Sequence, residues 1–459
     1  MNSQDLTRRV AAYIAGSADN PLPADVAEKT RLHLLDTLAA IISGQALRAG
    51  KRAASFVAGQ AGPADACVPG TSILTTAVDA AFAGAMAAHA DETDDSHLGG
   101  RFHPGCAVVP AALAVAEHRG RSGAELLRAI ACGYDIGARA TMALGFAGPR
   151  TGTHSTHCLG ANFGAAAAAG ALAGLDAEQC DHLLSYATQQ ASGIPYWQRD
   201  PEHVEKAFDF GGMGARNGVF GAIFVASGAS GVTGSLTGAH SYLSAFAENA
   251  KPAALVDGLG TRFEIMAASI KKWCVGSPIQ AALDSLTRLM ETEGVTARDV
   301  ARLLAIMPDD RFPIIDNRDM PDVCLQHLLA LTLADGALSF ASSHDLSRMR
   351  DPAVLEIRAR IEATPSRELT EARPARQAII EIDCHDGRRL SHRTRAVLGT
   401  PDNPMSAAQV EDKARDLIAP HLGAGQTESL IAAIRNIGEI ADVRALRPLL
   451  LAERWVQGM

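Results

Sequence analysis

From Leu32 to Ile42 apolar side chains recur at helical spacing, and the same periodicity returns in segment after segment up to about residue 250. Ser122 followed by Glu125 marks a capping box that opens "SGAELLRAIACGYDIGARA". "NFGAAAAAGALAGL" predicts a helix of small residues closed by Gly174, and Asp176 is placed to cap the next one, "AEQCDHLLSYATQQASG". A helix with so few large side chains fits a close-packed internal position better than a surface one.

The pattern changes after "KKWCVGSPIQ". "VARLLAIMP" and "QAIIEIDCHDGRRLSHRTRAVLG" alternate as strands do, and Asp386-Gly387 between two such runs predicts a hairpin turn. "MPDVCLQHLLALTLADGALSF" and "DPAVLEIRARIEA" read as helices. Pro401 and Pro404 break the pattern, and Ser406 with Gln409 predicts the start of a closing helical section. The expected fold is mainly α. A large all-helical domain spans residues 1–268 and is completed by 403–459, with a smaller α+β domain, 269–402, inserted.

Composition narrows the function. The 459 residues are 47% hydrophobic and 20% charged, a globular balance, while aromatics make up only 5% and glycines number 42. Net charge is −9 with no Lys/Arg run, which argues against a nucleic-acid partner. No stretch of about 18 uncharged apolar residues occurs, so no membrane partner is expected. The N-terminal segment carries Asp5 and lacks an apolar core, unlike a secretory signal. Eight scattered cysteines without a CxxC pair fit buried thiols in a reducing cytoplasm.

Against this background "HADETDDSHLGGRFHPG", residues 89–105, stands out. Asp91, Asp94, Asp95, His97 and His103 offer hard oxygen ligands and imidazoles for a metal. "DETDD" also superficially resembles the aspartate-rich motif of prenyl-diphosphate enzymes, which need a second metal-binding motif that the chain does not clearly offer. A metal-free acid/base site and a solvated acidic loop are the other readings. His103-Pro104 fixes the backbone around an imidazole where the loop meets the apolar run "CAVVPAALAVAEH".

Three further segments carry chemistry. In "GTHSTHCLGANFGAAAAAG", His154 and His157 precede a helix start, whose free N–H groups suit a carboxylate, or which Ser155 or Thr156 caps. In "EHVEKAFDFGGMGARNG", Lys206 and Arg216 bracket a glycine-rich turn and suit anionic groups. Lys271 and Lys272 stand at the expected domain boundary, and His327 is a lone histidine in an apolar helix.

In their order and spacing these segments resemble the MmgE/PrpD family, which includes 2-methylcitrate dehydratase, cis-aconitate decarboxylase and iminodisuccinate epimerase. The similarity runs from "LLDTLAAIISG" through "HADETDDSH…HPG", "GTHSTHCLGANFGAAAAAGAL" and "GARNGVFGA" to "KKWCVGSPIQAALD" and "DPAVLEIRARI". The resemblance implies a homodimer acting on a small di- or tricarboxylate without metal or organic cofactor, with its active site between the two domains. It places the family's acidic-Thr pair on Glu92 and Ser96, and its histidines on His103 and His154. Its lysines fall on Lys206 and on Lys271 or Lys272. A histidine of many members is Gln280 here, and a tyrosine used by the decarboxylase is His327. Those two departures count against cis-aconitate decarboxylation. The reading is therefore a hydro-lyase. His103, His154, Glu92 and Lys206 would be catalytic, and Ser96, Arg216, Lys271, Lys272, Gln280 and His327 would bind substrate. Dehydration of a 2-methylcitrate-like hydroxy acid leads, with epimerisation or decarboxylation of a related carboxylate as the alternative. Asp94 and Asp95 are expected to serve loop structure.

Overall fold

The computed structural model describes residues 3–148 and 152–452. It is mainly helical and divides into two compact units, one of residues 1–90, 94–269 and 407–459, the other of 91–93 and 270–406.

In the first unit, helices Ala77–Ala88, Gly105–Arg119, Gly123–Met142, Thr156–Ala173 and Met213–Ala226 pack around one another. Glycines set the spacing. A Cβ on Gly137 would come within 2.7 Å of the Gly160 carbonyl, and one on Gly218 within 2.5 Å of the Ala166 nitrogen. Helix Thr156–Ala173 is accordingly buried along nearly its whole length, as its small residues predict. The capping boxes at Ser122 and Asp176 are both formed, and Gly174 closes its helix in the left-handed conformation at φ 74°.

Ser155 departs from the capping expectation. It stands at the N-cap position without a side-chain cap bond, and its hydroxyl instead donates to Asp209. A buried carboxylate is a stronger acceptor target than a helix N–H is a donor, so the hydroxyl turns inward. Two-residue strands Ser96–His97 and Ala268–Ser269 pair antiparallel and fix the segment that leads to His103.

The second unit holds a four-stranded sheet in the order Ile361–Ser366, Val300–Pro308, Ala378–Cys384, Arg389–Thr394. The last two form the expected hairpin, with Gly387 at φ +88°. The first pairs parallel with Val300–Pro308. This corrects the helical reading of "DPAVLEIRARIEA": the helix stops at Arg358, and Ile361 onward is strand. The helical period fits that run, but burial of Ile361 in the sheet overrides it. Helices Gln280–Glu293 and Leu325–Asp335 cover the sheet and share its apolar core.

Candidate active site

Five segments of the first unit bring three histidines around one phenylalanine and a fourth against one of them. Helix Ala77–Ala88 ends at its C-cap, His89. The loop that follows carries Asp94, and His103 precedes Pro104 at the start of helix Gly105–Arg119. His157 sits in the first turn of Thr156–Ala173. His203 holds a left-handed backbone, φ +58°, at the cap of the short helix Val204–Ala207, a strained conformation of the kind that gathers at functional sites. Phe210 lies in a π-helical turn, Phe208–Gly212. That turn packs tightly because it is glycine-rich: a Cβ on Gly211 would meet the Ala85 carbonyl at 2.8 Å, and one on Gly212 the Met86 sulfur at 2.5 Å.

The rings are in direct contact. His89 stacks on Phe210 at a centroid distance of 4.2 Å and His157 at 3.6 Å, both nearly parallel to it, so they occupy its two faces. His103 lies 5.0 Å from His89, 5.2 Å from Phe210 and 5.5 Å from His157, and His203 lies 5.2 Å from His89. Trp197 meets the edge of this group, and the Lys206 amine sits 5.4 Å from the Trp197 ring centre and 5.2 Å from that of Phe210.

One carboxylate orders two of the imidazoles. Asp94 Oδ2 accepts from His89 Nδ1 at 2.9 Å and Oδ1 from His103 Nδ1 at 3.0 Å. A carboxylate only accepts, so the proton of each neutral ring is on Nδ1 and Nε2 keeps its lone pair. The two rings differ in access. The His89 side chain is fully buried, whereas that of His103 is 11% exposed. His103 is thus the imidazole that a ligand can reach while Asp94 holds its orientation. Nearby, burial pushes the Asp209 carboxyl up to about 7, with Ser155 as its hydrogen-bond donor. The ligating atoms of His89, Asp94 and His103 lie within 4.8 Å of one another, a spacing that would also suit a transition-metal ion. An ion ligated through Nδ1 would have to displace the imidazole protons now shared with Asp94.

Residues 8–255 match the MmgE/PrpD N-terminal domain and residues 273–439 the MmgE/PrpD C-terminal domain. The chain belongs to the MmgE/PrpD family. It is similar to human cis-aconitate decarboxylase, with 24% identity over 98% of this chain and 95% of the relative. The cis-aconitate decarboxylase of Aspergillus terreus is 22% identical over 97% and 96%. A cis-aconitate decarboxylase-like protein of Aspergillus oryzae is 27% identical over 50% of this chain and 48% of its own.

Of the residues that the family pattern singles out, His103 and Lys206 fall in the imidazole group. His154 does not. Its ring meets Phe246 at 5.0 Å, in a small cavity of about 140 Å³ that Arg101, Phe146 and Glu248 also line. Ser96 is buried in the two-residue strand pair, and Arg216 is an exposed side chain that reaches Asn217. Asp94, expected in a purely local role, is instead the shared partner of two histidines. Asp95 does serve structure, accepting the Gly105 N–H at the head of the His103 helix.

Within the second unit, Lys271 donates to the Glu92 backbone carbonyl at 2.7 Å and lies 3.6 Å from its carboxylate. His344 Nε2 meets Asp91 at 2.7 Å; burial opposes a charge on that ring, but the Asp91 carboxylate outweighs it and raises the imidazole to about 9. Lys272 lies over Trp273, 4.5 Å from the ring centre. Gln280 turns its amide onto the Trp273 and Val275 carbonyls. His327 is fully buried, and neither ring nitrogen has a hydrogen-bond partner among the described residues. Burial, aided by the positive charges of Arg358 and Arg348, lowers it to about 4.

Sequence reasoning passed over His89, His203 and Phe210, and it named His157 beside His154 without giving it a place among the site residues. His157 lies in the first turn of helix Thr156–Ala173, whereas His154 precedes that helix. Nothing in the sequence marks the π-turn that places Phe210.

Proposed function

We propose that this protein is a metal-independent lyase that moves a proton at a carbon beside a carboxylate of a small di- or tricarboxylate. The observation that carries this reading is the pair of imidazoles sharing Asp94, one of them reachable, with a third imidazole and a lysine beside Phe210. Proton loss next to a carboxylate builds negative charge on oxygen. Positioned cations and N–H donors lower that barrier, and an imidazole whose Nδ1–H is held by a carboxylate is suited to take the proton.

In this reading His103 transfers the proton at carbon. His157 serves as the second acid or base because it shares the Phe210 contact with His103, and His154 is the alternative that the family pattern offers. Lys206 holds a substrate carboxylate. Glu92 belongs with the catalytic group, and Ser96, Arg216, Lys271, Lys272, Gln280 and His327 contribute to substrate binding, as the family resemblance suggests. Elimination of water from a 2-methylcitrate-like hydroxy acid needs both an acid and a base, which two imidazoles supply. The names of the relatives favour a second outcome, loss of CO₂ from an unsaturated tricarboxylate such as cis-aconitate. A homodimeric, cytoplasmic enzyme belongs to the same reading.

Proton NMR of the pure protein in D₂O, incubated with methylcitrate, citrate, isocitrate, cis-aconitate, tartrates and iminodisuccinate, tests it. New olefinic signals from a hydroxy acid indicate dehydration. Loss of one carboxylate from cis-aconitate indicates decarboxylation, and deuterium uptake without net conversion indicates epimerisation. Turnover is expected to survive excess EDTA. Activity abolished by metal stripping and restored by a divalent ion would assign the His89, Asp94 and His103 group to a metal instead.

A further inference from the structure

Asp95 follows the carboxylate that holds His89 and His103, yet it takes a wholly different set of donors. Its Oδ1 accepts the Gly105 N–H at 2.9 Å. Its Oδ2 accepts from the Tyr134 hydroxyl at 2.6 Å and from His33 Nδ1 at 2.7 Å. Asp95, His33 and Tyr134 have no exposed surface at all. The His33 and Tyr134 rings meet edge to face, 5.4 Å apart. One carboxylate therefore ties together helices Ala24–Gly44, Gly105–Arg119 and Gly123–Met142. The space is closed on every side. A Cβ on Gly105 would come 2.6 Å from Thr37 Oγ1, 2.8 Å from Asp95 Oδ1 and 2.9 Å from the Tyr134 oxygen.

Its ionisation state agrees with that arrangement. Burial alone would raise the Asp95 carboxyl, but the His33 and Tyr134 hydrogen bonds hold it below the ordinary value. Burial lowers His33 from the ordinary imidazole value, although the Asp95 hydrogen bond opposes that shift.

We propose that Asp95, oriented by His33 and Tyr134, is a positioning residue for the Asp94–His103 pair. This rests on the functional reading above. Both ends of that hydrogen bond are tied to Asp95. Asp94 is its chain neighbour, and His103 is separated from the clamped Gly105 nitrogen only by Pro104, whose ring fixes φ. Rotation of the 94–95 peptide or a slide of the helix head would break the 3.0 Å contact between Asp94 and His103. A misplacement near 1 Å costs about a hundredfold in rate.

The test uses the full chain with Asp95→Asn and Tyr134→Phe. The first readout is the imidazole N–H region of the NMR spectrum of the ligand-free, ¹⁵N-histidine-labelled protein, assigned with His103→Gln and His89→Gln. The second is kcat and KM on whichever carboxylate the panel identifies. Asp95→Asn is expected to lose or shift the His103 Nδ1–H signal and to lower kcat roughly ten- to a hundredfold, with KM changed less than about threefold. Tyr134→Phe is expected to act in the same direction, roughly three- to tenfold. A purely structural role would lower Tm yet leave the signal and the kcat of the folded protein native, and that result overturns the proposal. If Asp95→Asn does not fold, Tyr134→Phe decides alone, since a native signal in it is equally fatal. Absence of turnover with every carboxylate would sink the functional reading, while the ligand-free spectrum still judges the positioning.

Discussion

The molecule buries imidazoles in two very different settings. Around Phe210 in the first unit, His89 and His103 face a carboxylate that fixes which nitrogen bears the proton. In helix Leu325–Asp335 of the second unit, His327 has no partner on either nitrogen among the described residues and feels two arginines, so it stays neutral down to about pH 4. Burial is common to both. The carboxylate is what turns a buried histidine into an oriented base, because it sets the tautomer and stabilises the cation formed when Nε2 takes a proton. His327 at neutral pH can donate one hydrogen bond and accept another, but it cannot hold a positive charge against a substrate carboxylate.

The sharpest way to break this comparison is to remove each ring in turn. His103→Ala is expected to lower kcat by about a hundred- to ten-thousandfold on the carboxylate identified by the NMR panel, the range of a lost general base. His327→Leu should act mainly on KM, by about tenfold or less, since it removes only hydrogen-bonding capacity. A larger loss of kcat at His327 than at His103 would reverse the assignment.

A smaller effect separates the two histidines of "GTHSTHC". His157→Ala removes a ring stacked on Phe210 at 3.6 Å and is expected to cost kcat roughly ten- to a hundredfold. His154→Ala, whose ring meets Phe246 in a separate small cavity, should stay within about threefold. The opposite ranking in steady-state kinetics would restore His154 to the catalytic role that the family pattern suggests.

The same contrast shows which parts of the molecule are legible in the sequence. Helices and their ends follow from local periodicity and capping chemistry, which is why Ser122, Gly174 and Asp176 sit where the pattern puts them. The Ile361–Ser366 strand is hidden because its parallel neighbour, Val300–Pro308, lies some sixty positions away. His103 stands out because proline and glycine follow it. His89 does not, because the end of an Ala-rich helix gives no hint that a carboxylate five residues later will turn back to meet it. The division of labour between Asp94 and Asp95 depends on three helices arriving at once, and no local pattern encodes that.

The smallest expected effects are on stability, and they run in opposite directions with pH. His327 is lowered from its ordinary value to about 4, so between about pH 6.5 and 4 the unfolded chain binds the extra proton. Stability from this group is present above that window and is lost as pH falls through it. Asp209 is raised to about 7, so the folded chain binds the extra proton from about pH 4 upward, and stability is lost as pH rises toward 7. His327→Leu should therefore gain Tm over the parent protein, and the gain should widen from pH 6.5 to pH 4. Asp209→Asn should gain most at pH 8, with the difference shrinking to nothing near pH 4. Each shift is expected at roughly 2 °C, readable by calorimetry across that range. Two variants whose Tm differences moved with pH in the same direction would mean that one of these buried groups has found a partner, and His327 would then lose its place as the unpaired member of the comparison.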